Sequence, residues 1–190
     1  MKQLILASTS VYRQELLKRL ELPFKAQASG VDEDAEKNKG FRPRKLAEHL
    51  ACLKARSLMK PGHVVIGGDQ LVDFQGKILG KPGGREAAIK QLQSMAGQTH
   101  DLITAVCVAS ETGEILITDI TQMTLRKLSL SEIERYIDQD KPMDCAGAYK
   151  IEKLGITLME RIETDDFTAI QGLPLMKLSQ VLREKGFNLP

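Results

Sequence analysis

VVIGGDQ, residues 64–70, is an apolar run that ends in two glycines, an acid and an amide. The consecutive aliphatic residues predict a buried strand that ends at Asp69 and Gln70. Ligands of open α/β sheets bind beyond the carboxyl ends of the strands, where a carboxylate can bind a divalent metal or activate a water molecule. The two glycines would let the backbone approach something bulky and polar. Gly and Asp are also ordinary turn residues, so Asp69 has a second interpretation as part of a turn.

The sequence before this segment predicts one strand and two helices. The apolar run near the N-terminus is followed at once by hydroxyl residues, and leucines then recur at helical spacing. The expected elements are a strand over residues 4–7, a polar turn over 8–10, a helix that carries Leu16, Leu17 and Leu20 and ends by Pro23, a surface loop over 29–43, and an amphipathic helix from about Pro43 to Lys60.

The sequence after it predicts a region rich in strands. The expected elements are a hairpin over 71–79 around Gln75-Gly76, a helix through Ala88, Leu92 and Met95, two strands at 102–108 and 115–125, a helix opened by Ser131 with Glu134 in a capping box, and a final helix from Pro174 to about Lys185. Strands alternate with helices at first and dominate the middle, which predicts an α/β fold with a mixed sheet. Because no long linker divides the chain, we expect a single domain over 1–190.

Composition excludes several classes of protein. With 27 basic and 25 acidic residues the net charge is only +2, so the chain lacks the basic excess of a nucleic-acid binder. Three cysteines at wide, irregular spacing are typical of reduced thiols in the cytosol rather than of disulfides or a zinc site. The apolar run at the N-terminus is too short for a signal peptide, and no stretch approaches the length of a membrane span. We therefore expect a cytoplasmic protein that binds neither nucleic acid nor a membrane.

The segment Ser8-Thr9-Ser10 with Arg13 lies between the first strand and the first helix. A helix N-terminus offers unpaired N–H groups, to which hydroxyls and an arginine can add donors for an anion. The alternative is simple capping of the helix by Ser or Thr, which is common. From this segment alone, capping is the better interpretation.

Lys54 falls in the middle of the apolar face of the helix that begins near Pro43. A lysine there must reach solvent along its stem, pair with a carboxylate, or meet the negative charge of a ligand, and the sequence leaves these options open. Lys81, in Gly80-Lys81-Pro82, offers a second lysine on a rigid loop. Three basic groups and an acid at a strand end fit a polyphosphate site, although the chain has neither a Walker A motif nor GxGxxG.

Taken in order, these segments resemble the Maf family of nucleoside triphosphate pyrophosphatases. The resemblance extends over nearly the whole chain, and the ordered set is far more specific than any one motif. The matching segments are LILASTSVYR at 4–13, VDE at 31–33, Lys54 in its helix, IGGDQ at 66–70, GKP at 80–82, QTHDLITAV at 98–106, CAGAYKIE at 145–152 and GLPL at 172–175.

The resemblance implies an elongated, two-lobed α/β fold like that of inosine triphosphate pyrophosphatases, with a nucleotide cleft between the lobes. It also implies a divalent cation, Mg²⁺ or Mn²⁺, and a homodimer. Val11 replaces a proline that is usual in the family, and Ala105 stands where glycine is common. The implied roles are Asp69 as catalytic base, Ser8, Ser10, Arg13, Lys54 and Lys81 as phosphate ligands, and Glu33 with Asp69 as metal ligands.

Three positions separate the subgroups of this family, and here they are Tyr12, Gln70 and Glu152. This trio resembles the subgroup that hydrolyses 7-methyl-GTP, whereas the subgroup for thymidine and uridine triphosphates carries Arg, Thr and Gln. Methylation at N7 makes guanine cationic, so an aromatic face can attract the ring and a carboxylate can accept from its N1–H and N2–H. Without the resemblance, ordinary packing of Tyr12 and a solvated Glu152 would be preferred. The alternative functions are dTTP/UTP hydrolysis and a non-catalytic, nucleotide-binding regulator of septum formation.

Overall fold

The computed structural model describes residues 2–190 as an α/β protein whose described strands form one mixed, seven-stranded sheet. The strands follow the order β2-β1-β3-β5-β6-β7, and β4 pairs with β3. The strands are β1 (Gln3–Leu6), β2 (Phe24–Ala26), β3 (His63–Phe74), β4 (Lys77–Leu79), β5 (Thr99–Ser110), β6 (Gly113–Leu125) and β7 (Met159–Glu163). The helices are α1 (Val11–Lys18), α2 (Glu33–Lys37), α3 (Pro43–Ser57), α4 (Arg85–Met95), α5 (Leu130–Asp140) and α6 (Leu175–Glu184), with short 3₁₀ turns at Ala146–Ala148, Leu154–Leu158 and Ala169–Gln171.

The chain divides into two compact units. Unit 1 comprises the described residues up to Gln70 together with Thr104–Asp119 and Asp166–Pro190. In it, β1 lies between β2 and β3 and is parallel to both. Aliphatic side chains of β1, α1, β3, β5, β6 and α6 form its core, since the apolar faces of the two helices cover the strands. Members of this core include Leu4, Leu6, Leu16, Leu17, Val64, Ile66, Val106, Val108, Leu178 and Leu182.

Unit 2 comprises Leu71–Ile103 and Ile120–Asp165. The end of β3 forms an antiparallel hairpin with β4, and Gln75 (φ 54°) and Gly76 (φ 80°) make its tight turn. Helix α4 packs against α5 and the turn at Ala146–Ala148. The end of β6 pairs antiparallel with β7.

The structure confirms the predicted class and most of the predicted elements. The hairpin around Gln75-Gly76, the helices that become α1, α3, α4, α5 and α6, and the strands that become β1, β5 and β6 all form. None of the helices within residues 2–190 is both long and apolar enough to cross a membrane.

Several local predictions are wrong. The expected loop at 29–43 contains α2, because Asp32 caps that helix by accepting from the N–H of Ala35. The capping box of α5 is formed by Ser129 and Glu132, whereas Ser131 and Glu134 were the predicted pair. Both pairs have the required spacing, and Glu132 also pairs with Arg126 at 2.8 Å. The short strands β2 and β7 have no pattern long enough to predict.

The largest difference concerns β3, which does not end at Asp69 but continues to Phe74. Asp69 nevertheless lies past the end of a parallel neighbour, because the pairing of β1 with β3 stops at Leu6 opposite Ile66. Asp69 therefore lies beyond the carboxyl end of β1, as expected for a ligand-binding residue, but within β3 and not at its end.

Candidate active site

Lys54, Asp69 and Glu33 form a charged cluster in unit 1. The Lys54 Nζ donates to Asp69 Oδ1 at 2.8 Å and lies 2.7 Å from Glu33 Oε1. Both Lys54 and Asp69 are buried, with 6% and 7% of their surfaces exposed, whereas the Glu33 side chain is 41% exposed. Of the options that the sequence left open for Lys54, the structure shows pairing with carboxylates.

Close packing of α3 on β3 brings Lys54 to Asp69. A Cβ atom at position 67 would lie 2.3 Å from the carbonyl oxygen of Ala51 and 2.4 Å from the backbone nitrogen of Ala55. These are backbone atoms of α3 on either side of Lys54, so only glycine permits this approach. The close approach expected at these glycines is therefore present at Gly67, and what approaches there is the backbone of a helix of the same unit. A Cβ at Gly68 would lie 3.4 Å from Arg13 Nε.

Helix α2 supplies Glu33 from the segment that was expected to be a loop. Three acids lie in its first turn, where the positive end of a helix favours them, and Lys37 pairs with Asp34 at 2.9 Å. The sequence motif VDE thus has two functions. Asp32 caps the helix, and Glu33 contacts Lys54.

Burial raises the pKa of Asp69 above the ordinary value for aspartic acid. The positive charges of Lys54 and Arg13 oppose this shift, and the negative charge of Glu33 adds to it. A carboxylate with a raised pKa is a stronger base, which is the property required of a group that takes a proton from water.

Arg13 is the second cation close to this cluster. Burial lowers the pKa of its guanidinium, and the charges of Asp69 and Glu33 act in the opposite direction. Its Nε donates to the carbonyl oxygen of Gly172 at 3.2 Å, and one terminal nitrogen lies 3.5 Å from Ser8 Oγ. These contacts hold the guanidinium at the start of α1.

The two serines at this turn are engaged in backbone contacts. Ser10 is the N-cap of α1 and accepts from the N–H of Arg13 at 3.4 Å, so the capping interpretation is confirmed for Ser10. Ser8 Oγ accepts from the N–H of Ser10 at 3.2 Å. Both serines are half-buried, and the hydroxyl residue between them, Thr9, is exposed.

Gln70 follows Asp69 on β3 and bonds within the protein. Its side-chain amide donates to Thr104 Oγ1 at 2.8 Å and to the carbonyl oxygens of Ala169 and Ile170 at 3.0 and 3.1 Å. Gln70 thereby holds the 3₁₀ turn that precedes Gly172, the residue whose carbonyl accepts from Arg13. Sequence analysis missed Thr104 and Gly172 as supports of the cluster, since nothing local in the sequence indicates either contact.

The remaining predicted residues are distributed over both units. Tyr12 is a half-buried residue of α1 in unit 1. Lys81 and Glu152 belong to unit 2, and both are exposed. Lys81 follows β4, and Glu152 lies in a turn between two 3₁₀ segments.

Comparison with known proteins establishes the family. The model of the family described as "Maf-like protein" matches residues 3–185. The chain belongs to the Maf family.

Curated relatives match this chain over 95% or more of its length. A Bdellovibrio bacteriovorus protein is 59% identical over 181 residues, which are 95% of this chain and 96% of the relative. A Xanthomonas oryzae pv. oryzae protein is 46% identical over 192 residues, 100% of each chain. A Syntrophotalea carbinolica protein is 41% identical over 191 residues, 98% of this chain and 96% of the relative. Each is named 7-methyl-GTP pyrophosphatase.

The donor set of this Maf-family cluster fits a hard divalent cation. Glu33 and Asp69 offer carboxylate oxygens, the ligands that Mg²⁺ and Mn²⁺ prefer. One oxygen of each is bonded to the same ammonium group, that of Lys54, so the two carboxylates already converge on a single positive charge.

Proposed function

We propose that this protein is a nucleoside triphosphate pyrophosphatase that hydrolyses 7-methyl-GTP to 7-methyl-GMP and pyrophosphate. The observation that carries the proposal is the set of full-length relatives with that printed name, at identities from 41% to 59%. The buried cluster of Lys54, Asp69 and Glu33 supports it, because it supplies a base and a cation together.

Asp69 is the proposed catalytic base. Its carboxylate takes a proton from the water molecule whose oxygen attacks the α phosphorus of the triphosphate. The phosphoanhydride bond breaks, and pyrophosphate leaves with the bridging oxygen. The raised pKa of Asp69 favours the proton transfer, and Asp69 is buried where few water molecules compete.

Lys54 and Arg13 are the proposed phosphate ligands of unit 1, with Ser8 and Ser10 at the start of α1. Lys54 bridges two carboxylates, and its flexible stem allows the ammonium to exchange one of them for a phosphate oxygen. Such an exchange would release Asp69 for proton transfer at the moment of substrate binding. Lys81 of unit 2 is the further phosphate ligand that the resemblance implies.

Base recognition is assigned to Tyr12 and Glu152, as the resemblance implies. Tyr12 would attract the cationic ring of 7-methylguanine, and Glu152 would accept from its N1–H and N2–H. Gln70 acts on specificity indirectly in this proposal, because its amide donors hold Thr104 and the turn at Ala169–Gln171. A threonine at position 70 would be too short to make all these bonds.

Glu33 and Asp69 are the proposed ligands of a divalent cation, Mg²⁺ or Mn²⁺. When bound, the cation neutralises charge that develops on the phosphate oxygens. The cytoplasmic location and the homodimer remain predictions that rest on the sequence and the resemblance.

The test is release of pyrophosphate from a panel of triphosphates by the purified full-length protein with added Mg²⁺ or Mn²⁺. We expect 7-methyl-GTP to have the highest kcat/KM, followed by other purine triphosphates. Asp69→Asn, purified in the same way, controls for contaminating hydrolases. A preference for dTTP or UTP would overturn the substrate but not the reaction class. Tight binding of triphosphates without pyrophosphate release would favour the non-catalytic regulator.

A further inference from the structure

Two cysteines and a glutamate lie together in unit 1, and none of them is among the residues predicted for the polyphosphate site. Cys52 is on α3, Cys107 on β5 and Glu114 on β6. Their side-chain donor atoms, the two Sγ atoms and one carboxylate oxygen, all lie within 4.8 Å of one another. Both thiols are free. The fold thus unites residues whose wide spacing in the sequence gave no metal-binding motif.

The burial of the three donors is graded. Cys107 is fully buried at 0% exposure, Cys52 is half-buried, and the Glu114 side chain is 33% exposed. The group is therefore closed on the side of Cys107 and accessible from the side of Glu114. An ion could enter from solvent without unfolding of the unit.

Arg56 fixes the carboxylate of this group. It lies one helical turn after Cys52 on α3, and its Nε and Nη2 donate to the two oxygens of Glu114, each at 2.7 Å. A carboxylate oxygen has a second lone pair, so Glu114 can keep both bonds and still coordinate an ion. Outer partners of this kind orient metal ligands and tune their affinity.

We propose that Cys52, Cys107 and Glu114 form a binding site for a thiol-seeking divalent cation, with Zn²⁺ as the chemically best fit. Two thiolates bound to tetrahedral zinc at about 2.3 Å each lie about 3.8 Å apart, which agrees with donors gathered within 4.8 Å. Binding displaces the two thiol protons to solvent. Two thiolates, a carboxylate, Arg56 and Zn²⁺ then sum to zero charge.

The site would join three elements of unit 1. A bound ion links α3, which carries Lys54, to β5 and β6. This site differs from the proposed cation site at Glu33 and Asp69 in its donor atoms, because thiolates select zinc whereas two carboxylates suit magnesium. The expected consequence of zinc binding is greater thermal stability of the protein, and activity is not part of the proposal.

The test uses the reduced, full-length protein freed of metal by a chelator and titrated with Zn²⁺, or with Co²⁺ as a spectroscopic probe. We expect one equivalent of Co²⁺ to give a thiolate-to-cobalt charge-transfer band that Zn²⁺ abolishes and excess Mg²⁺ leaves unchanged. Zn²⁺ should also raise the melting temperature. Cys52→Ser and Cys107→Ala should abolish the band and the thermal shift, whereas Cys145→Ser, which alters the half-buried third cysteine, should retain both.

Arg56→Gln should lower the affinity for the metal without abolishing binding, because Arg56 orients the ligand Glu114 and does not bind the ion itself. Loss of this outer partner should weaken binding by about 10- to 100-fold while the band persists. If Cys107→Ala does not fold, Cys52→Ser at its half-buried position carries the test alone. Absence of a band in the wild type, an unchanged band in Cys52→Ser, or its loss in Cys145→Ser would each overturn the proposal.

Discussion

Asp69 and Asp166 are two buried carboxylates of unit 1, with 7% and 1% of their surfaces exposed. Asp166 accepts from the backbone N–H of Thr168 at 3.0 Å and from that of Met176 at 2.8 Å, and also from the Thr168 hydroxyl. These donors tie the segment before α6 to the first turn of that helix. Backbone donors cannot be exchanged without disruption of the chain around them, so this carboxylate is structural.

Asp69 is held differently, by the ammonium group of Lys54, which also contacts Glu33. An ammonium on a four-carbon stem can move to another anion, whereas the amides around Asp166 cannot. Residue type and burial are nearly the same at the two positions. Asp69 is held by a cation on a flexible stem, whereas two of the donors to Asp166 are backbone N–H groups. We therefore expect Asp69 to be available for chemistry and Asp166 to anchor the start of α6.

The largest effect expected from this comparison is on turnover. Asp69→Asn should lower kcat on 7-methyl-GTP by about a hundredfold or more, the range for a lost general base, because an amide cannot accept the proton. Urea unfolding should change little, since the amide oxygen can still accept from Lys54. Pyrophosphate release and urea unfolding of the same preparation measure both. Near-normal turnover of Asp69→Asn would mean that another residue is the catalytic base, with Glu33 as the next candidate.

The matched change at the other carboxylate should affect stability. Asp166→Asn turns an amide donor toward backbone N–H groups that need an acceptor, which should cost about 2–3 kcal/mol of unfolding free energy. Turnover per folded molecule should stay near the wild-type value. The midpoint of urea unfolding and kcat are the measurements. If Asp166→Asn abolished turnover without loss of stability, the distinction between the two carboxylates would be wrong.

A third carboxylate, exposed and in unit 2, tests recognition. Glu152→Gln should cost about 2–3 kcal/mol of binding to the cationic base, which corresponds to roughly one to two orders of magnitude in kcat/KM on 7-methyl-GTP. Activity on UTP or dTTP should fall less or rise, because Gln can donate to a pyrimidine carbonyl. Glu160→Gln, another exposed glutamate of unit 2, is the control. Equal losses on purine and pyrimidine substrates would argue against contact between Glu152 and the base.

The smallest expected effect is on the pH dependence of stability, because the charges of Lys54 and Arg13 oppose the shift that burial causes at Asp69. A group whose pKa is higher in the folded state binds more protons there, so its contribution to stability falls as pH rises through the interval between the two pKa values. Wild type should therefore lose stability relative to Asp69→Asn as pH rises from the ordinary Asp pKa, about 3.9, toward the raised one. Urea unfolding of both proteins across this interval measures the difference. A difference of opposite sign would mean that the pKa of Asp69 is lowered.

The sequence predicted the α/β class and most elements, because long apolar periodicities identify α3, α6, β5 and β6. It also indicated Asp69 and Lys54 as unusual, since Asp69 ends an apolar run and Lys54 falls within the apolar face of a helix. It could not show that the two are partners, because their contact depends on the packing of α3 against β3. Asp166 gave no signal either, since one of its backbone partners, Met176, is ten residues away at the start of a helix.

Gly67 has a consequence for how substitutions in this chain are interpreted. The residue carries no functional group, yet the distance between two charged side chains depends on its missing Cβ, because a methyl group there would meet the backbone of α3 at 2.3 Å. A survey of activity alone would therefore score position 67 as if it belonged to the chemistry. Position 68, where a Cβ would meet Arg13 Nε only at 3.4 Å, should tolerate alanine far better. If alanine is not tolerated at position 67 but is tolerated at position 68, the loss of activity at 67 reflects the spacing between α3 and β3 and not contact with substrate.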